Sequence, residues 1–283
     1  MAAESVVISN ARQSKQSTWF LPREHGATAM LFTPIVCAAI LSRAWRWSEL
    51  ATLIAAFAAL AAKDPMVVLA RQRFVWKQWH EETGAAIRWF AGWTVLLTLS
   101  GLVLLAAWPL TAIFPMGLGV AAFSALAIAM NVKNRQRSTL FQIASAFALT
   151  SSSLATSLSA SGSIAPWCWW LWILLAIQAT AGILVVHSRL DARIALRSNA
   201  PARENYRRAA QISLVALAVA AAIAIAFRRG WIALALLVAI AGYAYDLHRQ
   251  RNAEALQLPL KSVGQRALAL SSIYAILLIV GLW

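Results

Sequence analysis

The chain has 283 residues, 61% hydrophobic and 12% charged, with a mean hydropathy of +0.66. A soluble domain carries about 25% charged residues, so a water-soluble globule is excluded, and apolar runs near the ~20 residues that cross a bilayer recur from end to end. The net charge of +15 raises nucleic acid as a partner, but the basic residues fall in loops and no dedicated nucleic-acid element accompanies them.

Residues 1–21 are polar and mildly basic and read as a cytoplasmic N-terminal segment. Residues 22–283 read as a single transmembrane helical domain. The fold class is therefore all-α: a polytopic membrane helical bundle of about nine transmembrane helices. Hydropathy places the spans at 27–42, 49–70, 87–107, 110–130, 139–159, 164–187, 209–227, 231–247 and 266–283. The N-terminal segment and the loops after spans 2, 4, 6 and 8 hold all the Lys and Arg except Arg43, Arg46, Arg228 and Arg229. The positive-inside rule then puts the N-terminus in the cytoplasm and the C-terminus outside. Tryptophans mark both borders, with Trp45, Trp108 and Trp283 at outer ends and Trp19, Trp76 and Trp89 at inner ends.

Span 1 opens on "LPREHGATAM", so Arg23, Glu24 and His25 stand at the mouth of an uncleaved signal anchor. Pro22 suits the first turn of a helix, and Glu24 complements its positive end. These features leave His25 without a structural task, which makes it a candidate base or head-group donor facing a cavity. Span 2 is interrupted by Lys63-Asp64-Pro65. Either the span ends at Ala62, or it continues and carries an ion pair below the surface, where a charge costs at least a few kcal/mol. Lys63 and Asp64 point about 100° apart on a helix, so their pairing is imperfect. The loop that follows, "RQRFVWKQWHEETGAA", supplies Arg71 and Arg73.

Asn131 and Lys133 close span 4. Span 5 carries eight hydroxyls between Ser145 and Ser159, read either as close helix contact through small residues or as the polar lining of a cavity. After span 6, "VVHSRLDARIALR" sets His187 four residues before Asp191 and Arg189 four before Arg193, each pair on one helix face. The first pair could ligate a metal and the second could clamp a phosphate bidentately. Asp246, His248 and Arg249 follow span 8, and Lys261 and Arg266 lead into span 9. All four histidines and nine of the ten acids fall on the predicted cytoplasmic side. A face so rich in cations suits an anionic head group. Cys37 and Cys168 lie in or near apolar spans and read as packing residues.

The opening stretch resembles the YwiC-like family of bacterial membrane proteins, through Pro22, His25, Gly26, Met30 and Pro34. The tail "LPLKSVGQRALALSS" is similar to that family's last loop and span, through Lys261, Gly264, Ala267 and Ser271. That resemblance implies a bacterial cytoplasmic (inner) membrane location. The nine-span layout also resembles the UbiA superfamily of intramembrane prenyltransferases, whose loops after spans 2 and 6 hold Mg²⁺ against a prenyl diphosphate. This second resemblance implies an isoprenoid or quinone-like ligand. It gives Asp64 and Asp191 as metal ligands and, with His25, as catalytic residues. Each of the two loops offers a single aspartate here, so arginines would take up diphosphate directly. The head-group set expected on these grounds is Arg23, Lys63, Arg71, Arg73, Asn131, His187, Arg189, Arg193 and Lys261. The alternative is a membrane carrier or sensor that uses the same pocket without chemistry.

Overall fold

A computed structural model describes residues 25–136, 138–198, 204–258 and 260–283. Among these residues all the regular secondary structure is helical, with no strand. The helices are α1 (His25–Ser42), α2 (Trp47–Arg71), α3 (Thr83–Ala107), α4 (Leu110–Val132), α5 (Thr139–Thr150), α6 (Ser152–Ser161), α7 (Pro166–Ser198), α8 (Glu204–Ala226), α9 (Gly230–Arg249), α10 (Ala253–Gln257) and α11 (Leu260–Leu282). Seven of them (α2, α3, α4, α7, α8, α9 and α11) are long and apolar enough to cross a membrane. The other two expected spans are α1, with 18 residues, and the pair α5–α6.

Three features of the spans have local causes. α2 does not stop at Ala62: it runs through Pro65, which is buried, and ends in a single π turn at Gln72–Trp76. Span 5 is broken at Ser151 into α5 and α6. The hydroxyls of Thr150, Ser151 and Ser153 each bond a carbonyl three or four residues back, the pattern by which such residues bend a helix. α7 has 33 residues, about 50 Å at 1.5 Å per residue. It therefore overshoots a hydrocarbon core of about 30 Å.

Side-chain bonds divide the bundle into two ends. At one end Ser48 donates to Ser159 O (2.7 Å), while Thr52 and the Trp108 indole both reach Ser159 Oγ (2.5 and 2.8 Å). Arg43 lies over the Trp283 ring at this end, 3.9 Å from its centre. At the other end meet Arg71, Asn131, Gln142, His187, Ser188 and Gln250. The same two groups of loops are separated by charge in the sequence, so the second end is the basic one.

The core gathers α7, α8, α9 and α11 with α1 around Leu171, Leu217, Leu236, Tyr274 and Leu278, all fully buried. Close helix approach needs small residues. A Cβ on Gly281 would stand 3.1 Å from the backbone nitrogen of Ile232, so α11 and α9 touch there through glycine.

Candidate functional site

Three polar groups stand at the basic end. In the first, Arg71 at the end of α2 donates from Nη2 to Asn131 O (2.9 Å) and to Asn134 Oδ1 (3.1 Å), tying α2 to α4. Asn131 spends its own amide on Ala127 O, one turn back. Two turns above Arg71, Lys63 Nζ lies 3.9 Å from Asp64 Oδ1, the loose pairing expected of adjacent residues on a helix. Beyond Arg71 the turn is rigidly built. Gln72 is buried and accepts from Thr83 Oγ1 (2.6 Å), which also bridges to His80, while Arg73 is exposed.

The second group joins α5, α7 and α8. His187 Nδ1 faces Ile183 O at 2.9 Å. A carbonyl only accepts, so Nδ1 carries the proton, and Nε2 accepts from the Gln142 amide at 2.8 Å. The Tyr206 ring lies 5.6 Å from the imidazole. Asp191 Oδ2 and Gln142 Oε1 are buried without a hydrogen-bond partner.

The third group is the most enclosed. Arg189 of α7 is 3% exposed, the lowest of the described arginines, although its side chain is the costliest kind to bury. One Nη2 bond goes to the Ala255 carbonyl of α10, and Nε is buried with no partner. Buried polar groups are nearly always paired, so an unspent donor asks for an explanation. The guanidinium lines a cleft with Gly182, Val185, Tyr243, Asp246, Gln250 and Val263. Asp246 attracts it, while Arg193, Arg249 and Arg266 repel it. Gln250 fixes the cleft wall by accepting from Ser188 (2.9 Å) and donating to Val185 O (3.1 Å). Arg189 is 23 residues along α7 from Pro166, about 35 Å. That is the depth of a head group if Pro166 marks the opposite border.

The sequence therefore pointed to Arg189 and Arg193, yet as an open clamp; one of the two is instead buried and already holds a carbonyl. Arg71 and Asn131 are brought together directly. Arg23 lies outside the described residues, and His25 and Lys261 are described only as helical backbone in the first turns of α1 and α11. The hydroxyls of span 5 bond to protein: Ser152 reaches Leu31 O of α1, and Ser157 and Ser159 reach backbone and side chains around them. Cys37 and Cys168 are free and buried, and Cys168 donates to Ser153 O.

The described residues form no all-protein cage for magnesium. Mg²⁺ takes six ligands, mostly oxygen, yet among the described residues no three His, Cys, Asp or Glu side chains come together. Asp64 has the Lys63 ammonium beside it, and Asp191 has arginines two residues away on either side.

One arrangement was not anticipated. Below the cleft, Gln178 of α7 donates to Tyr243 Oη of α9 (2.6 Å) and to Ser271 Oγ of α11 (3.0 Å). A Cβ on Gly182 would stand 2.8 Å from Tyr243 Oη, so only glycine admits the phenol there. The available signal was a lone amide in the apolar run "LWILLAIQATAGILVV", where a polar side chain must find a partner on another helix.

A family model described as YwiC-like protein matches residues 21–157, just under half of the chain. That segment is similar to the YwiC-like family. The match covers α1 to α5 and most of α6, including Arg71, Asn131 and Gln142. Arg189, Asp246 and Gln250 lie beyond the YwiC-like segment and meet it through the contacts of α7 with α1, α5 and α6. Neither the curated proteins nor the solved structures give a match.

Proposed function

We propose that this YwiC-like integral membrane protein binds an amphiphile with an anionic head at its basic end, a prenyl diphosphate or related lipid, with the tail between the helices. The observation that carries this reading is a narrow cleft with apolar walls lined by the buried Arg189 and by Asp246, a carboxylate that also feels the charges of Arg249 and Arg266. Arg71, Arg73, Asn131 and His187 extend the same cationic face toward α2, α4 and α5, and Arg23, His25, Lys63 and Lys261 belong to it in this reading. The basic end faces the cytoplasm of a bacterial inner membrane, and the C-terminus lies outside. The reading asks for no metal, and Asp64 and Asp191 belong to it as single carboxylates on the same cationic face. A second reading, a carrier or sensor of an anionic or quinone-like ligand, draws on the same cleft and asks for no chemistry.

The test is thermal unfolding of the detergent-purified protein with prenyl diphosphates of several lengths and with quinones, each in EDTA and in Mg²⁺. A ligand at about 100 times its dissociation constant adds roughly 2.7 kcal/mol. Stabilisation by a prenyl diphosphate in EDTA is the expected result. Stabilisation by quinones alone favours the carrier or sensor, and no response to any of them removes the reading.

A further inference from the structure

We infer that the end of the bundle opposite the basic one carries a docking patch for the head groups of anionic phospholipids. It is built from Arg43 and Arg46 of the α1–α2 loop and Arg228 and Arg229 of the α8–α9 loop, all four exposed. This patch is separate from the cleft and does not depend on the ligand read there. The two loops are distant in the chain, and the fold brings both to the last turn of α11. Arg43 lies over the Trp283 ring, 3.9 Å from its centre. A Cβ on Gly281 would stand 3.2 Å from the Cβ of Trp231, two residues past Arg229.

Two unfavourable choices in the sequence point to a use for these arginines. The first is charge. They are the only Lys or Arg in the loops at this end, where cations work against the asymmetry that orients the chain. The second is backbone conformation. Arg43 and Arg228 have φ of 53° and 55°, in the left-handed region. Each stands just past a helix end. Arg43 N–H donates to Ile40 O (3.3 Å), closing α1, while Arg228 and Arg229 N–H donate to Ile225 O (2.9 Å) and Ala224 O (2.8 Å), closing α8. Glycine is the usual occupant of that position, because it lacks the Cβ that makes the conformation costly. Capping alone would therefore favour glycine, yet arginine stands there twice. The one acid at this end, Glu49, is buried and accepts from the Arg46 backbone N–H (3.2 Å). The patch thus keeps an excess of positive charge.

The neighbouring rings decide the class of partner. Guanidinium offers planar paired donors that match phosphate oxygens, and stacking on Trp283 uses its face and not its N–H edge. Trp45, Trp47, Trp231 and Trp283 are 80%, 83%, 53% and 63% exposed beside the arginines. Such rings stand at the level of the head groups. An anion that meets arginine and indole together is one anchored in the bilayer. The phosphodiester of an anionic phospholipid has that position and that charge, whereas a soluble anion gains nothing from the rings.

The experiment places a bimane fluorophore on Ala44→Cys in the full chain, since Cys37 and Cys168 are buried, and reads its quenching in nanodiscs. Brominated phosphatidylglycerol and brominated phosphatidylcholine are compared at equal mole fraction. Phosphatidylglycerol is expected to be enriched about fivefold at the probe, the factor that one arginine near an anionic surface supplies. Changing Arg43, Arg46, Arg228 and Arg229 together to Gln should bring the enrichment close to one. Arg228→Gly separates lipid contact from capping: glycine suits the backbone there, so the thermal midpoint should hold or rise while the enrichment falls. That single change also serves if the fourfold variant does not fold. Equal quenching by the two lipids, or an enrichment that survives the Gln and Gly changes, overturns the inference. A preference abolished by millimolar glycerol phosphate gives the patch to a soluble anion and overturns the lipid assignment.

Discussion

α7 and the α3–α4 pair are similarly apolar and differ in what surrounds them. In its most apolar stretch α7 is 50% buried inside the protein, whereas α3 and α4 are 6% buried each. On α3 the side chains of Val95, Leu99 and Leu102 face outward, and on α4 those of Phe114, Leu118 and Val120 do the same. Lipid chains are as apolar as leucine, so a helix facing them needs only hydrophobicity. A helix facing other helices needs small residues, tight shape and satisfied polar groups. α7 has these in Ala176, Ala181, Gly182, Gln178 and Ser188. Overall hydropathy thus identifies a span without saying whether it is core or coat.

The comparison can be broken at four points. Tyr274→Ala removes a fully buried ring whose hydroxyl donates to Leu174 O (3.0 Å), and is expected to cost about 3–5 kcal/mol in unfolding by SDS titration. A loss under about 1 kcal/mol in that titration would move the core elsewhere. Gly182→Ala drives a methyl against Tyr243 Oη and should cost about 1–3 kcal/mol. The double change with Tyr243→Phe should recover part of that loss, since the clashing oxygen is gone. Gln178→Leu breaks two interhelical bonds, for which membrane values of about 0.6 kcal/mol, at most about 1.7, apply. Finally, Leu99→Ala and Leu118→Ala on the outward faces should stay within about 0.5 kcal/mol in the same titration. If either cost as much as Tyr274→Ala, the α3–α4 face would be covered by protein.

What the sequence disclosed follows the same line. Spans are legible because bilayer thickness imposes length and apolarity residue by residue. The division into two ends is legible because charge segregates by loop. The Lys63-Asp64-Pro65 run was open to two readings because a proline can end a helix or sit within one. Only packing around the buried Pro65 decides for continuity. The break at Ser151 depends on which carbonyl each hydroxyl chooses, and composition does not encode that choice. At the candidate site, Arg189 and Arg193 stood out by spacing, while Asp246, Gln250 and Ala255 belong to the same group only through the fold. They lie about 60 residues away along the chain, beyond the reach of any periodicity.

The bond from Arg189 to Ala255 spans 66 residues of chain. Chains are synthesised at about 5–20 residues per second, so roughly 3–13 seconds separate the emergence of the guanidinium from that of the carbonyl it holds. Through that interval α8 and α9 are still being laid down, and the charged side chain must stay with water and head groups. The lower end of α7 can meet α5 at once through His187 and Gln142, whereas the carbonyl that Arg189 holds arrives only with α10.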